Sequence, residues 1–201
     1  MAVRLADSIG GVSLVDASLR QGLSVSGLTE IGDDGPAAGD PNFTRVALTL
    51  SRLQRLRNSD WSLYGEVIGQ LASATLPSSE RFALGDATIG RGFAPGNTTG
   101  DSGYGGRLEL RRYLGPATFG GAVEATELYV FGDYGAAHDR SIDRDGESWQ
   151  SLGSVGFGAR IDVTRWLTLT PEIARQTSGV ATDTTDPDHE TRAYIGVIAR
   201  F

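Results

Sequence analysis

From Phe43 onward the chain alternates. Thr44, Val46, Leu48 and Leu50 share one parity while Arg45, Ala47, Thr49 and Ser51 share the other, and a repeat of two puts each set on one face of a β-strand. Residues from Trp61 do the same, with Leu63, Val67 and Leu71 set against Ser62, Tyr64, Glu66 and Gln70. Leu108 and Leu110 alternate with Arg107, Glu109 and Arg111, and Val155, Phe157 and Ile161 are set against Ser154, Arg160 and Asp162. Segments at 122–133, 166–175 and 191–201, with an earlier one near 12–26, bring the prediction to eight strands. Each runs roughly 10 to 14 residues, about twice the mean for soluble sheets. On its apolar parity the last strand carries Ala193, Ile195, Val197, Ala199 and Phe201.

A soluble sandwich also alternates, so the two faces alone do not choose between a packed core and a wall that meets lipid. The connections do. In order they are long (29–42), short (55–60), very long (74–102), short (114–118), long (135–148), short (164–165) and long (177–190). Short turns at one end and long loops at the other are the arrangement of an outer-membrane barrel. The long segments are rich in Asp, Gly, Pro, Ser and Thr, as solvated loops are. Trp61, Tyr113, Tyr134, Trp149 and Trp166 fall near predicted strand ends, which suits an aromatic girdle at the membrane interfaces and also suits core packing in a sandwich. No apolar run approaches the 18 or so residues that a membrane helix needs. Met1 to Asp7 carry no apolar signal-peptide region.

Composition narrows the chemistry. The 201 residues hold 18 basic and 25 acidic side chains, a net charge of −7, and no cysteine. Disulfides, thiolate metal sites and cysteine nucleophiles are thereby excluded, and the acidic balance argues against a nucleic-acid partner. Glycine fills 28 positions, about twice its usual share.

Against this background the stretch from Pro77 through Ile89-Gly90-Arg91-Gly92-Phe93 to Arg111 resembles the signature region of the two-partner secretion transporters. These haemolysin secretion/activation proteins belong to the superfamily of the outer-membrane insertase. In that family a long external loop bearing a Val-Arg-Gly-Tyr-like tetrad folds back into the barrel lumen. Arg91 and Gly92 match its Arg-Gly pair, and Gly90 stands where Val is more frequent. Phe131-Gly132-Asp133 is similar to the family's Phe-x-Asp motif. The ending with Tyr194, Gly196 and Phe201 is similar to the signal by which the insertase recognises barrel clients.

The resemblance implies an all-β antiparallel transmembrane barrel of sixteen strands with the signature loop between strands eleven and twelve. Three predicted strands precede the loop here and five follow it, so residues 1–201 would be the C-terminal half. The periplasmic domains and the first half of the barrel would have no counterpart. It further implies residence in the bacterial outer membrane and export of an unfolded haemolysin- or adhesin-like exoprotein. Outer-membrane lipid and, during assembly, the barrel insertase would be its other partners. Two alternatives are an insertase-type barrel and a small self-standing β-barrel or sandwich that binds ligands or surfaces.

Three expectations follow for the residues. The loop 74–102 should fold toward the inner wall and bring Arg91 within salt-bridge distance of Asp133, by resemblance its partner. Leu48, Leu50, Leu63, Val67, Leu108, Leu110, Val155, Phe157, Val197 and Phe201 should point away from the lumen. Arg107, Glu109, Arg111 and Glu127 should line it, as lumen-facing charges and not as a catalytic pair. No enzyme motif, cofactor or metal is expected: residues 90–96 lack dinucleotide-loop spacing, and His138, His189, Asp183, Asp186 and Asp188 lack calcium-loop spacing.

Overall fold

The computed structural model describes residues 2–23, 39–116, 121, 123–140, 149–179 and 190–200. Within them the protein is all-β, with a 3-10 turn at Ser78–Glu80 and no α-helix. The strands are β1 (Ala2–Ala6), β2 (Gly11–Gln21), β3 (Thr44–Arg55), β4 (Trp61–Ala72), β5 (Phe82–Leu84), β6 (Thr98–Gly100), β7 (Ser102–Leu114), β8 (Ala125–His138), β9 (Trp149–Thr164), β10 (Leu167–Gly179) and β11 (Thr191–Ala199).

Nine of them form one antiparallel sheet in the order β1-β2-β3-β4-β7-β8-β9-β10-β11, while β5 and β6 make a separate two-stranded ribbon. The expectation of eight strands is therefore corrected. An additional wall strand, β1, pairs with β2 from Ala2↔Asp16 to Ala6↔Val12, and the turn 7–10 between them extends the alternation of short and long connections. Asp7 shapes this turn: Arg52 donates to its carboxylate at 2.5 Å, as do the N–H groups of Ile9 and Gly11. The Arg52 bond first, then the N–H bonds, hold its carboxyl below the usual range. The sheet is open among the described residues, since β1 and β11 pair on one side only.

The two faces differ as their parities require. Leu48, Leu50, Leu63, Val67, Leu108, Leu110, Val155, Phe157 and Val197 are all exposed on the outer face, Leu108 at 54% and Phe157 at 58%. Phe201 lies outside the described residues. A contiguous apolar face of this extent does not belong on a soluble monomer. Trp61 sits on it at the rim of the short turns, with Arg112 over its ring. Tyr104 and Trp149 sit at the opposite rim with ring centroids 5.9 Å apart. Tyr113 departs from the girdle expectation: it pairs with Glu127, which puts it on the inner, charged side.

Strands β4 and β7 pair in continuous register from Trp61↔Arg112 to Gln70↔Gly103, as though joined by a tight turn. Residues 73–101 instead leave the wall, cross its inner face and return. There they make the main core, with Phe82, Leu84, Ile89 and Phe93 of the loop against Ala137 and Leu152 of the wall. The glycines of the wall give room for it. A Cβ on Gly103 would lie 2.3 Å from the Phe82 ring, one on Gly105 2.8 Å from Ile89, and one on Gly135 2.9 Å from Leu84. Gly105→Val should therefore unseat the loop while leaving strand pairing intact. Overpacking of this kind costs about 1–3 kcal/mol, read as a lower urea midpoint for the heat-modifiable folded form in detergent.

Candidate functional site

Registry across the inner face sets three rows of side chains. One reads Glu66, Arg107, Asp133, Ser154; the next Tyr64, Glu109, Phe131, Gly156; the third Ser62, Arg111, Tyr129, Gly158, Glu172. Gly156 and Gly158 leave space that the Phe131 and Tyr129 rings fill, since a Cβ at either would fall within 2.6 Å of the neighbouring ring or hydroxyl. Tyr129 then reaches across Gly158 and its hydroxyl donates to Glu172 at 2.7 Å.

The loop delivers Arg91 to the middle row. Its guanidinium lies 4.1 Å above the centre of the Phe131 ring, a cation–π placement. One terminal nitrogen donates to Glu109 and the other to Glu172 at 2.9 Å. Arg91 Nε and Asp133 Oδ2 are 4.0 Å apart, and among the described residues neither has a hydrogen-bond partner. The side chains of Arg91 and Glu109 are 2% and 0% exposed. A planar fork suits this task, because it meets carboxylates in two directions at once.

Asp133 does something else as well. Its Oδ1 accepts from the backbone N–H of Gly90 and from the Ser154 hydroxyl, both at 2.7 Å. Gly90 has φ +82°, and a Cβ there would lie 2.4 Å from Leu152; both facts require glycine at this turn. Gly92 passes so close to β10 that a Cβ would meet the Gln176 nitrogen at 2.9 Å, and its carbonyl accepts from Gln176 Nε2 at 3.0 Å. The structure thus brings Arg91, Gly92, Phe131 and Asp133 into one cluster.

Glu109 is the carboxylate with most partners. Besides Arg91 it takes Arg111 at 2.7 Å, Arg160 at 3.4 Å and Arg107 at 3.7 Å. Arg107 also pairs with Glu66 at 3.1 Å and Arg160 with Glu127 at 2.5 Å. Glu172 is the partner that sequence reasoning missed; only its parity on β10 hints at it. Tyr194 faces inward on β11, its hydroxyl 3.4 Å from the Phe93 carbonyl, beside a cavity of about 340 Å³ that Arg91, Tyr129 and Glu172 also line. Gly196 faces Thr170, whose hydroxyl a Cβ would meet at 2.3 Å. Among the described residues no His, Asp and Glu group is disposed to hold a metal ion. His138 packs at a tilt beside Trp149, ring centroids 5.1 Å apart; Asp183, Asp186, Asp188 and His189 lie outside the described residues.

An apolar outer face, a charged inner face and a loop laid across the latter are compatible with the wall of a β-barrel with an inserted loop. The model of the family described as haemolysin secretion/activation protein ShlB/FhaC/HecB matches residues 7–161, and the chain belongs to that family. Its members are outer-membrane transporters of two-partner secretion that act with a secreted exoprotein. No curated protein and no solved structure matches the chain significantly.

The division of labour around Arg91 can be tested. Glu109→Gln leaves four arginines without their shared charge and should cost about 3–5 kcal/mol, as breaking a buried ion pair does. Asp133→Asn keeps an oxygen for the Gly90 N–H and should cost about 1 kcal/mol. Urea midpoints of the folded protein measure both. Equal losses would contradict the assignment.

Proposed function

We propose that these residues form the C-terminal half of a sixteen-stranded outer-membrane barrel that passes an unfolded haemolysin- or adhesin-like polypeptide outward. The supporting observation is the loop 73–101, which lies across the polar face of the wall with Arg91 buried against carboxylates from β7, β8 and β10. In this reading β2, β3 and β4 are strands nine to eleven, β7 to β11 are strands twelve to sixteen, and β1 is part of strand eight.

The edges of the sheet favour this reading. Each unpaired N–H or C=O in hydrocarbon costs several kcal/mol, so a spanning sheet must close. Eight strands closed on themselves are filled by side chains, whereas aqueous channels need about 16. The apolar face would meet outer-membrane lipid. Tyr194, Gly196 and Phe201 would form the signal that the barrel insertase reads during assembly. Arg91, Gly92, Phe131 and Asp133 would hold the loop in the lumen, where the ion-pair rows offer hydrogen-bonding partners to an extended chain. The work is passage and not bond chemistry, and nucleic acid has no place in it.

Export from cells by the complete barrel, with these residues as its C-terminal half, is the test. Arg91→Ala should lower export of the unfolded partner at least tenfold while the barrel still shows heat-modifiable migration. The isolated 201-residue chain in liposomes should export nothing and give no stable conductance. Export by the isolated chain would overturn the proposal.

A further inference from the structure

The loop is held at a second place, far from Arg91 along the chain. Asp101 is the last residue before β7, and it is fully buried. Its Oδ1 accepts from the backbone N–H of Leu76 at 2.7 Å and its Oδ2 from the backbone N–H of Arg140 at 2.9 Å. Its own N–H donates to the His138 carbonyl at 2.8 Å, and its carbonyl accepts from Gln70 Nε2 at 3.1 Å. Gln70 Nε2 also donates to the Glu80 carbonyl at 2.9 Å.

One carboxylate therefore joins three stretches of chain. Leu76 belongs to the arm that leaves β4, Asp101 to the arm that returns to β7, and Arg140 to the segment after β8. Leu76 is itself buried against Phe43 and Ala72, and the Arg140 guanidinium donates to the Ala72 carbonyl at 2.9 Å, so each joined point is fixed to the wall as well. Both oxygens of Asp101 are spent on main-chain N–H groups. That is a device for setting the direction of backbone: an apolar residue of the same size would leave two buried N–H groups unpaired.

We infer that Asp101 is a positioning residue that sets the angle at which the signature loop enters the lumen, and so delivers Arg91 to Glu109, Glu172 and Asp133. It acts at the root of the loop and touches none of the tip residues. Arg140, just after β8, is tied to the same carboxylate, so displacement of either arm or of Arg140 disturbs the other two. The consequence for export rests on the transporter reading; the geometry of the loop does not.

The test places a single cysteine at Ile89, which is buried at the tip of the loop, in the complete barrel in its outer membrane. The readout is the rate of reaction with a charged, membrane-impermeant maleimide. In the Ile89→Cys background with Asp101 intact, labelling should be slow. Adding Asp101→Ala should speed it at least tenfold while heat-modifiable migration stays normal. Asp101→Asn retains one acceptor oxygen and places an NH2 against the other N–H, so its rate should fall between. Should the Ala variant fail to assemble, the isosteric Asn variant carries the test. Labelling within twofold of the parent in whichever variant assembles would overturn the inference, including when export falls. Faster labelling in a barrel that exports nothing in any form would leave this inference standing and remove the transporter reading instead.

Discussion

The structure turns on a cation placed where water cannot reach it. A guanidinium taken out of water is tolerated only when its charge is matched and its donors are directed at acceptors. Arg91 meets the charge condition with Glu109 from β7, Glu172 from β10 and Asp133 from β8 around it, over the face of Phe131, and its two terminal nitrogens donate to Glu109 and Glu172. Every other feature of the inner face serves the condition. The wall glycines let the loop lie close enough, Asp133 fixes the turn at Gly90, and four arginines surround Glu109.

The long strands were legible in the sequence because each carries a mostly apolar parity over enough residues for the repeat to show. β1 was not, because Ala2–Ala6 offers only Val3 and Leu5 against Arg4, too short a run to distinguish from chance. β5 and β6 have three residues each and owe their conformation to the wall beneath them. The site was legible in part. Resemblance pointed to Arg91, Phe131 and Asp133, and they do gather. Which carboxylate takes the terminal nitrogens depends on registry, which no local pattern reveals. Glu109 pairs with Phe131 and Arg107 with Asp133, so a guanidinium stacked on Phe131 lies in the Glu109 row and one row away from Asp133. Glu172 enters only because Gly158 lets Tyr129 reach past it.

High glycine content, at first a mere excess in the composition, has a spatial meaning. Gly103, Gly105 and Gly135 lie under Phe82, Ile89 and Leu84, and Gly156 and Gly158 under Phe131 and Tyr129. Together they trace where the loop and the rings rest on the sheet. Outside this strip several inward positions carry long charged side chains, Arg45, Glu66, Arg107 and Arg111 among them.

The clasp around Arg91 also imposes an order on folding. Its carboxylates come from β7, β8 and β10, and β10 is placed by pairing with β9. Closing a long excursion costs only slightly more chain entropy than closing a tight turn, so pairing of β4 with β7 need not wait for the loop. Seating Arg91 must wait, because until β10 docks the guanidinium lacks Glu172. The loop thus gains its full set of ion pairs only after β7, β8 and β10 have paired, and its settling reports that those strands have found their register.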